Sequence, residues 1–520
     1  MTDPAPGNRI EAILLRHPLL ACLLAGAAAA LALPPWHVLP GLLGFGVLVL
    51  AIARAPGVMR AGLAGLAFGL GFHLVGLYWV AIAFSAEAAG VAVLALPATF
   101  LLCLACALFV AAYGMILRLL RIRRPLAVVL GLAALWGFGE WLRGTLFGFP
   151  WNPIALVWSV SEASLQIVAL TGSPALSVVT VAAAGIAALV VTGPGLQARL
   201  AGLAVPLLLT GIVLGHGAWR LSQPLPPPTE LELRVVQGNI PQDRKWDPQR
   251  LRENFLTHIE LAEEPAPVQP RLIIWPESAV PFSLERDEVA RTYLAQIAQK
   301  AGGFVVTGAN HYAEDADGQP FANNSIYVID PEAAVAARYD KVDLVPFGEY
   351  LPLRGLLGAI GLEAVAARGE FRPGSGRTTQ ELPGIPPYSP LICYEVAYPS
   401  AATDGSGRAQ WLLNVTNDAW FGRSAGPWQH LALARMRSVE EGLPLVRAAN
   451  TGVSVVTDAY GRILAELGLG ERGVIDGKLP ASLPERPIGG RLGSLWGWIA
   501  IGLFAMACLF VEFRSQQDTD

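Results

Sequence analysis

Charged residues are scarce in this chain, and their scarcity excludes a wholly soluble protein. Asp, Glu, Lys and Arg make up 15% of the 520 residues, whereas hydrophobic residues make up 53%. Soluble domains usually carry about 25% charged residues. The formal net charge is only −4, and the Lys and Arg residues form no basic stripe, so nucleic acid is not an expected partner. Much of the chain must therefore face lipid.

Cysteines are scarce as well, since the chain has only five. Cys22, Cys103, Cys106 and Cys508 lie in long apolar runs, whereas Cys393 stands alone in a region of ordinary globular composition. A structural disulfide within that region is therefore excluded. Taken alone, Cys393 is best explained as an inert buried thiol, because free cysteine is among the most buried residue types.

Long apolar runs predict membrane spans, because a helix needs roughly 20 apolar residues to cross a bilayer. We predict about eight spans, at residues 19–33, 38–53, 61–84, 90–117, 126–147, 165–191, 200–219 and 495–511. The predicted domains are a transmembrane domain at 1–220, a globular domain at 221–484, and a final helix with a short tail at 485–520.

The placement of arginine predicts how the chain is oriented. Arginines precede the first predicted span and follow the second, fourth, sixth and eighth, while the intervening short loops hold almost none. Positive loops stay in the cytoplasm. Both termini are therefore expected in the cytoplasm, and the globular domain on the opposite side of the membrane. In a bacterium, that places it in the periplasm, on the inner membrane.

Three strand-like runs of the globular region carry residues that together suit acyl transfer. RLIIWPES contains Glu277, ARYDKVD contains Lys341, and PLICYE contains Cys393. A free thiol has a pKa near 8.5, so a nucleophilic cysteine needs a base. The three histidines of the region do not stand at the ends of such strands, but a carboxylate can serve as base and an ammonium can stabilise an oxyanion. This chemistry needs neither metal nor cofactor.

Each of these residues also has an ordinary structural explanation. Glu277, after Trp-Pro, could be a solvated turn residue. Lys341 could be a surface lysine paired with Asp340 or Asp343. The hypothesis of a site therefore rests on the combination of residues.

Polar groups inside the apolar runs raise a separate question. Cys103 and Cys106 have the CxxC spacing of redox and metal motifs, yet they lie mid-run among leucines and alanines, which favours simple packing. Glu140 and Arg143 lie nearly one helical turn apart and can pair. Ionisable groups near a span usually face a polar interior, so the role of this pair stays open.

The order and context of the glutamate, lysine and cysteine resemble the nitrilase (carbon–nitrogen hydrolase) superfamily. The matching contexts are WPE, DK…PFGE and CYE, and the resemblance covers about residues 233–477. Together with the predicted spans on either side, it narrows to the apolipoprotein N-acyltransferase family. Supporting stretches are FGFPWN, VQGNIPQDRKWDP, LVPFGEYLP, NVTNDAWFG and RAANTGVS. The implied fold is a polytopic α-helical membrane domain with an α/β nitrilase-like domain, a four-layer α/β/β/α sandwich.

The resemblance implies a role for each matching residue. Glu277 is the general base, Lys341 stabilises the oxyanion and the thiolate, Cys393 is the nucleophile, and Glu349 supports the lysine. Further residues implied to support or line the pocket are Trp246, Tyr394 and Glu395. Trp420 and Phe421 are candidate lipid contacts, although aromatic residues in such a position are more often part of the core.

The implied reaction is transfer of a phospholipid acyl chain, through a thioester on Cys393, to the α-amino group of an N-terminal S-diacylglyceryl cysteine of apolipoproteins. Its partners are the phospholipid, the apolipoproteins and the bilayer, and a monomer is expected. Two alternatives stay open: a membrane-anchored amidase or nitrilase, and a catalytically inactive lipid- or lipoprotein-binding protein. The apolar segment 350–371 is either a lid at the membrane surface or a helix packed on the domain's own sheet.

Overall fold

The chain divides into two compact units. A computed structural model describes residues 11, 14, 16–87, 92–193, 195–315, 317–350, 371–399, 402 and 408–517. The first unit comprises Met1–Arg143, Pro150–Gln223 and Pro487–Asp520, and the second comprises Gly144–Phe149 and Pro224–Arg486. Residues 351–370 of the predicted lid lie outside the described residues.

The first unit is built of helices. Its α-helices are Pro18–Ala30, Gly44–Arg54, Val58–Gly76, Val80–Glu87, Ala95–Leu119, Pro125–Leu146, Glu162–Leu165, Val168–Gly185, Leu189–Thr192, Leu196–Leu221 and Ile488–Gln517. Its 3₁₀ segments are Leu39–Leu43, Ala92–Leu94, Ile154–Val160 and Ile186–Ala188.

Six helices of the described chain are long and apolar enough to cross a membrane. The first two predicted spans correspond to shorter apolar helices, Pro18–Ala30 and Leu39–Arg54. The membrane character of the unit is thus confirmed, whereas a count of about eight spans stays a prediction.

Small residues allow the helices Val58–Gly76 and Ala95–Leu119 to pack closely. A Cβ atom at Gly65 would lie 2.2 Å from the carbonyl oxygen of Val110, and one at Gly114 would lie 2.4 Å from that of Ala61. Any side chain there would push the helices apart. This is the way membrane helices commonly associate, since burial from lipid gives no hydrophobic gain.

The described residues of the second unit form two six-stranded sheets. Its strands are β1 (Glu232–Gln237), β2 (Leu272–Ile274), β3 (Phe304–Glu314), β4 (Pro320–Ile329), β5 (Val335–Asp340), β6 (Gln380–Leu382), β7 (Ile385–Ile392), β8 (Trp411–Thr416), β9 (Leu445–Ala449), β10 (Ser454–Thr457), β11 (Ile463–Leu467) and β12 (Gly473–Lys478). Its α-helices are Gln242–Lys245, Leu251–Ala262, Glu288–Ala301 and Gly426–Glu441, and its 3₁₀ segments are Cys393–Ala397 and Asp418–Phe421.

Each sheet has a parallel centre flanked by antiparallel strands. The strand orders are β12-β1-β2-β3-β4-β5 and β11-β10-β9-β8-β7-β6. Strands β1, β2 and β3 are parallel, as are β7, β8 and β9. The carboxyl ends of parallel strands meet at one edge of a sheet, where sites in α/β proteins are commonly built. The runs that end near Glu277 and Cys393 both belong to these parallel centres.

The two sheets face each other across an apolar core. Val235, Ile274 and Val306 of the first sheet lie in one cluster with Ile392 and Leu413 of the second. Alternate residues of a strand point to opposite faces, so the intervening side chains of the first sheet point away from this core. The inner faces of both sheets are thereby buried.

Helices cover the outer faces. Ile273 and Val305 of the first sheet pack against Phe255 and Leu294, which lie on two helices. On the second sheet, the helix Gly426–Glu441 packs against β9. The layers therefore run helix, sheet, sheet, helix, and the predicted four-layer α/β/β/α sandwich is confirmed.

Candidate active site

The nucleophile candidate Cys393 lies at a sharp turn directly after β7. It is the first residue of the segment Cys393–Ala397 and has a φ of 51°, which residues other than glycine rarely adopt. Its side chain is nearly buried, with 7% of the residue exposed. Such strain persists only where surrounding structure enforces it, and it concentrates at functional sites. The backbone therefore distinguishes this cysteine from an ordinary core thiol.

Glu277 lies just beyond β2 and is 6% exposed. Its Oε1 accepts a hydrogen bond from Asn324 Nδ2 at 2.7 Å, and its Oε2 accepts one from the backbone N–H of Asn417 at 2.7 Å. An ionised carboxylate can accept at both oxygens. The alternative of a solvated turn residue is therefore excluded.

Lys341 follows β5 directly and is only 1% exposed. Its ammonium lies 2.9 and 2.8 Å from the two carboxylate oxygens of Glu349, and 3.9 Å from Oε1 of Glu277. The lysine is thus held between two carboxylates, and Glu349 is its close partner, as the family resemblance implies.

The alternative that Lys341 is a surface lysine paired with Asp340 or Asp343 is excluded by the contacts of those two aspartates. Asp340 pairs with Arg338 at 3.1 Å, and Asp343 pairs with Arg377. Both neighbouring aspartates therefore have other cationic partners, while Lys341 points into the protein.

Charges around the thiol set its protonation state. Burial raises the pKa of the Cys393 thiol, and the Glu277 carboxylate raises it further, while Lys341 opposes this rise. Burial alone would lower the pKa of Lys341, but Glu349, Cys393 and Glu277 hold it well above its ordinary value. At neutral pH the site therefore contains a neutral thiol and a charged ammonium. A base must remove the thiol proton before the sulfur can attack.

Asn324 belongs to the site, and the sequence did not single it out. Its side-chain amide donates to Glu277 at 2.7 Å and to Glu349 at 2.9 Å, and its backbone carbonyl accepts from the N–H of Lys341 at 2.8 Å. One residue of β4 thus fixes both glutamates and the lysine. The available signal was a pair of asparagines inside the apolar strand FANNSIYVI.

Lys245 is a second buried lysine that the sequence did not indicate. Its ammonium donates to the backbone carbonyl of Glu277 at 2.8 Å. Burial lowers the pKa of Lys245 to about 8, although Glu277 and Cys393 act in the opposite direction. It lies beside Trp246 in the quoted stretch VQGNIPQDRKWDP, so proximity to a family motif was the only available signal.

Two predicted supporting residues are buried behind the turn at Cys393. Glu395 accepts hydrogen bonds from the Tyr339 hydroxyl at 2.9 Å and from the backbone N–H of Ile392 at 2.7 Å. Burial raises its pKa to about 7. The Tyr394 hydroxyl donates to the carbonyl of Gly148 at 2.8 Å. Both residues brace the chain around the nucleophile.

Three predicted pocket aromatics lie closer to the surface. Trp246 is 43% exposed. Trp420 and Phe421 lie in the segment Asp418–Phe421 and are half-buried. Substrate contacts at these positions stay predictions.

Glu140 has a structural contact in the first unit. Its Oε1 accepts from Trp136 Nε1 at 2.9 Å and from the backbone N–H of Ile154 at 2.8 Å. The carboxylate thereby ties the chain at Ile154 to the helix Pro125–Leu146. Arg143 hydrogen-bonds the thiol of Cys106. This gives the buried ionisable groups partners within the unit.

Comparison with known proteins agrees with the fold and with the sequence contexts. The family model of the apolipoprotein N-acyltransferase N-terminal domain matches residues 25–186, and that of carbon-nitrogen hydrolase matches residues 232–485. An apolipoprotein N-acyltransferase of Rhodopseudomonas palustris is 39% identical over 511 residues, covering 94% of each chain. The chain belongs to the apolipoprotein N-acyltransferase family.

Other members of the apolipoprotein N-acyltransferase family show the same extent of similarity. One from Brucella melitensis is 39% identical over 521 residues and again covers 94% of each chain. Among solved structures, an amidase of the nitrilase superfamily from Nesterenkonia AN1 is 23% identical, with a TM-score of 0.36 over 52% of this chain and 96% of the amidase.

Proposed function

We propose that this protein transfers an acyl chain from a membrane phospholipid to the α-amino group of the N-terminal S-diacylglyceryl cysteine of apolipoproteins. The observation that carries the proposal is the assembly of Glu277, Lys341 and Cys393 in one buried site. That site belongs to a chain whose described residues include six helices long and apolar enough to cross a membrane. Acyl-transfer chemistry and access to lipid are thus combined in one protein.

In the first half-reaction, Glu277 takes the proton of the Cys393 thiol as the sulfur attacks the ester carbonyl of the phospholipid. A carbon–sulfur bond forms, and the resulting oxyanion is stabilised by the Lys341 ammonium. When the oxyanion collapses, the carbon–oxygen bond of the ester breaks. The departing lysophospholipid alkoxide takes the proton from Glu277, leaving a thioester on the enzyme.

In the second half-reaction, the α-amino group of the apolipoprotein attacks the thioester carbonyl. Glu277 accepts a proton from the attacking nitrogen, and Lys341 again stabilises the oxyanion. Collapse breaks the carbon–sulfur bond and forms the amide. The Cys393 sulfur leaves and regains its proton from Glu277, so the site returns to its initial state.

A transfer assay with purified full-length protein tests this proposal. Phospholipid labelled in its acyl chain is supplied together with a peptide whose N-terminal cysteine carries diacylglycerol on sulfur. We expect the label in an amide on the peptide, with ping-pong kinetics, because lysophospholipid leaves before the acceptor reacts. Steady release of labelled fatty acid in place of the amide would establish a hydrolase, and binding of lipid without turnover would establish a binding protein.

For location, we propose that the carbon–nitrogen hydrolase domain is periplasmic and that both termini are cytoplasmic. The alternation of arginine-rich loops with the apolar runs supports this orientation. It is tested with a membrane-impermeant thiol reagent on Asp317→Cys and Ser515→Cys, each in a Cys393→Ala background. We expect labelling of intact spheroplasts at position 317 only, and labelling at 515 only would reverse the orientation.

We also propose that the protein works as a monomer. The reaction proposed above uses Glu277, Lys341 and Cys393 of one chain, so it requires no group from a second copy. Light scattering of the protein in detergent, corrected for bound detergent, is expected to give the mass of one chain. A mass of two chains that persists on dilution would contradict this.

A further inference from the structure

The backbone carbonyl of the candidate nucleophile is contacted by a histidine from another element. His430 lies on the helix Gly426–Glu441 and is fully buried. Its Nε2 lies 2.9 Å from the carbonyl oxygen of Cys393. A carbonyl oxygen can only accept a hydrogen bond, so Nε2 must carry a proton and donate it.

The second ring nitrogen of His430 also faces an acceptor. Its Nδ1 lies 2.8 Å from Oδ1 of Asp418, which also accepts from the Thr416 hydroxyl at 3.0 Å. The other carboxylate oxygen accepts from Arg447 Nη2 at 2.7 Å. Although burial alone would raise the pKa of Asp418, Arg447 and His430 lower it to about 2. The carboxylate is therefore ionised, and it is held by both Arg447 and His430.

Asp418 and Arg447 hold the imidazole ring on the side opposite Cys393. Nδ1 of His430 lies within hydrogen-bond distance of both groups, 2.8 Å from Oδ1 of Asp418 and 3.1 Å from Nη2 of Arg447. These contacts fix the ring so that its Nε2–H is directed at the Cys393 carbonyl.

The same arginine also supports the strand that leads to the nucleophile. Arg447 Nη1 donates to the side-chain oxygen of Asn414, and Asn414 Nδ2 donates to the carbonyl of Leu391 at 3.0 Å. These residues lie on the adjacent strands β9, β8 and β7. The network of His430, Asp418, Arg447 and Asn414 therefore contacts the chain both before Cys393 and at Cys393.

We propose that His430 is a positioning residue, whose Nε2–H holds the Cys393 carbonyl and so keeps the nucleophile in its left-handed conformation. The inference rests on the proposed role of Cys393 as nucleophile. Without this hydrogen bond, Cys393 can relax towards the more common φ below zero. Such a change redirects its Cα–Cβ bond, and with it the sulfur, relative to Glu277 and Lys341.

Two polar substitutions of similar size separate positioning from packing. His430→Gln places its amide nitrogen where Nε2 lies and can still donate to the Cys393 carbonyl. His430→Asn is shorter, so its amide can reach Asp418 but not that carbonyl. The matched control is His258→Asn, since His258 is equally buried and contacts a carbonyl of its own helix, that of Asn254, at 2.8 Å.

The measurements use full-length protein and follow Cys393 by mass spectrometry of its peptide. They are the single-turnover rate of acylation by phospholipid, the apparent KM for phospholipid, and the alkylation rate with iodoacetamide. We expect His430→Asn to slow acylation and alkylation by about tenfold or more, with KM unchanged. His430→Gln should stay within about threefold of wild type for the same reason. His258→Asn should lower Tm without slowing alkylation.

Equal rates in the Asn and Gln variants of His430 would overturn the proposal, as would an alkylation rate that falls equally in His258→Asn. If His430→Asn does not fold, Asp418→Asn replaces it. That change removes the negative charge that holds both His430 and Arg447. Alkylation should slow because the ring loses its support, whereas an unchanged rate would overturn the proposal. An acyl adduct that survives in Cys393→Ala would instead overturn the proposed function itself.

Discussion

Cys393 and the pair Cys103 and Cys106 are all buried thiols in one chain, yet their surroundings differ in kind. Cys103 and Cys106 lie within the regular helix Ala95–Leu119. Cys393 lies at a turn with a positive φ, under the electrostatic influence of Glu277 and Lys341 among other charged groups. Burial therefore does not distinguish the proposed nucleophile from the thiols of the membrane helix. The positive φ of Cys393 and the neighbouring Glu277 carboxylate do.

The largest effect should come from removing the thiol itself. Cys393→Ala should abolish acyl transfer while the protein stays folded and in the membrane. Cys393→Ser should be nearly as inactive, because a carboxylate that suits a thiol is poorly matched to a far less acidic hydroxyl. Activity is measured with labelled phospholipid and acceptor peptide, and Tm provides the control for folding. A serine variant of near-normal rate would show that the thiol chemistry is not required.

The next largest effects should come from the base and the cation. Glu277→Gln and Lys341→Met should each lower kcat by about a hundredfold or more, with little change in KM, because each removes an interaction made mainly in the transition state. Lys341→Arg should also lower kcat strongly, since a planar guanidinium does not replace a compact ammonium in a packed site. Steady-state kinetics measure both parameters. Wild-type kinetics in Lys341→Met would mean that the lysine is purely structural.

A smaller loss should follow from Glu349→Gln. The amide keeps the size of the carboxylate and can still accept one hydrogen bond from Lys341, but it removes the nearer of two charges. We expect kcat to fall by about tenfold. Glu288→Gln is the matched control, because the Glu288 side chain is 88% exposed. Equal activity in the two variants would show that Glu349 does not set the position of the lysine.

The smallest effect should come from the thiols in the membrane helix. Cys103→Ala and Cys106→Ala should leave the rate of acyl transfer almost unchanged. Cys106 is the sharper test, because Arg143 hydrogen-bonds its thiol. If either variant lost as much acyl-transfer activity as Cys393→Ala, the thiols of the membrane helix would not be inert, and the result would point to chemistry at the CxxC.

Much of the site could be predicted from short stretches of sequence because its principal residues follow strands directly. Glu277, Lys341 and Cys393 each come directly after a strand or within a few residues of its end, and the family contexts fix their order. The α/β character and the membrane helices also follow from local composition. The layer order was available only through the family resemblance.

The supporting residues could not be found in this way because their partners are distant in the chain. Asn324 reaches Glu277 and Glu349 only when β4 lies beside β3 and β5. His430 lies on a helix and contacts the carbonyl of Cys393, not a strand end, so an inspection of strand ends for histidine overlooks it. The proposed role of His430 depends on the positive φ of Cys393, which no local sequence motif predicts.

The central claim is that Cys393 carries the acyl chain, and the intact mass of the protein tests it most directly. Purified protein is incubated with phospholipid alone and analysed by mass spectrometry. We predict a single acyl adduct that hydroxylamine removes, that the acceptor peptide discharges, and that Cys393→Ala lacks. An adduct of the same mass on Cys393→Ala, or turnover of phospholipid without any adduct in the wild-type protein, would contradict the account.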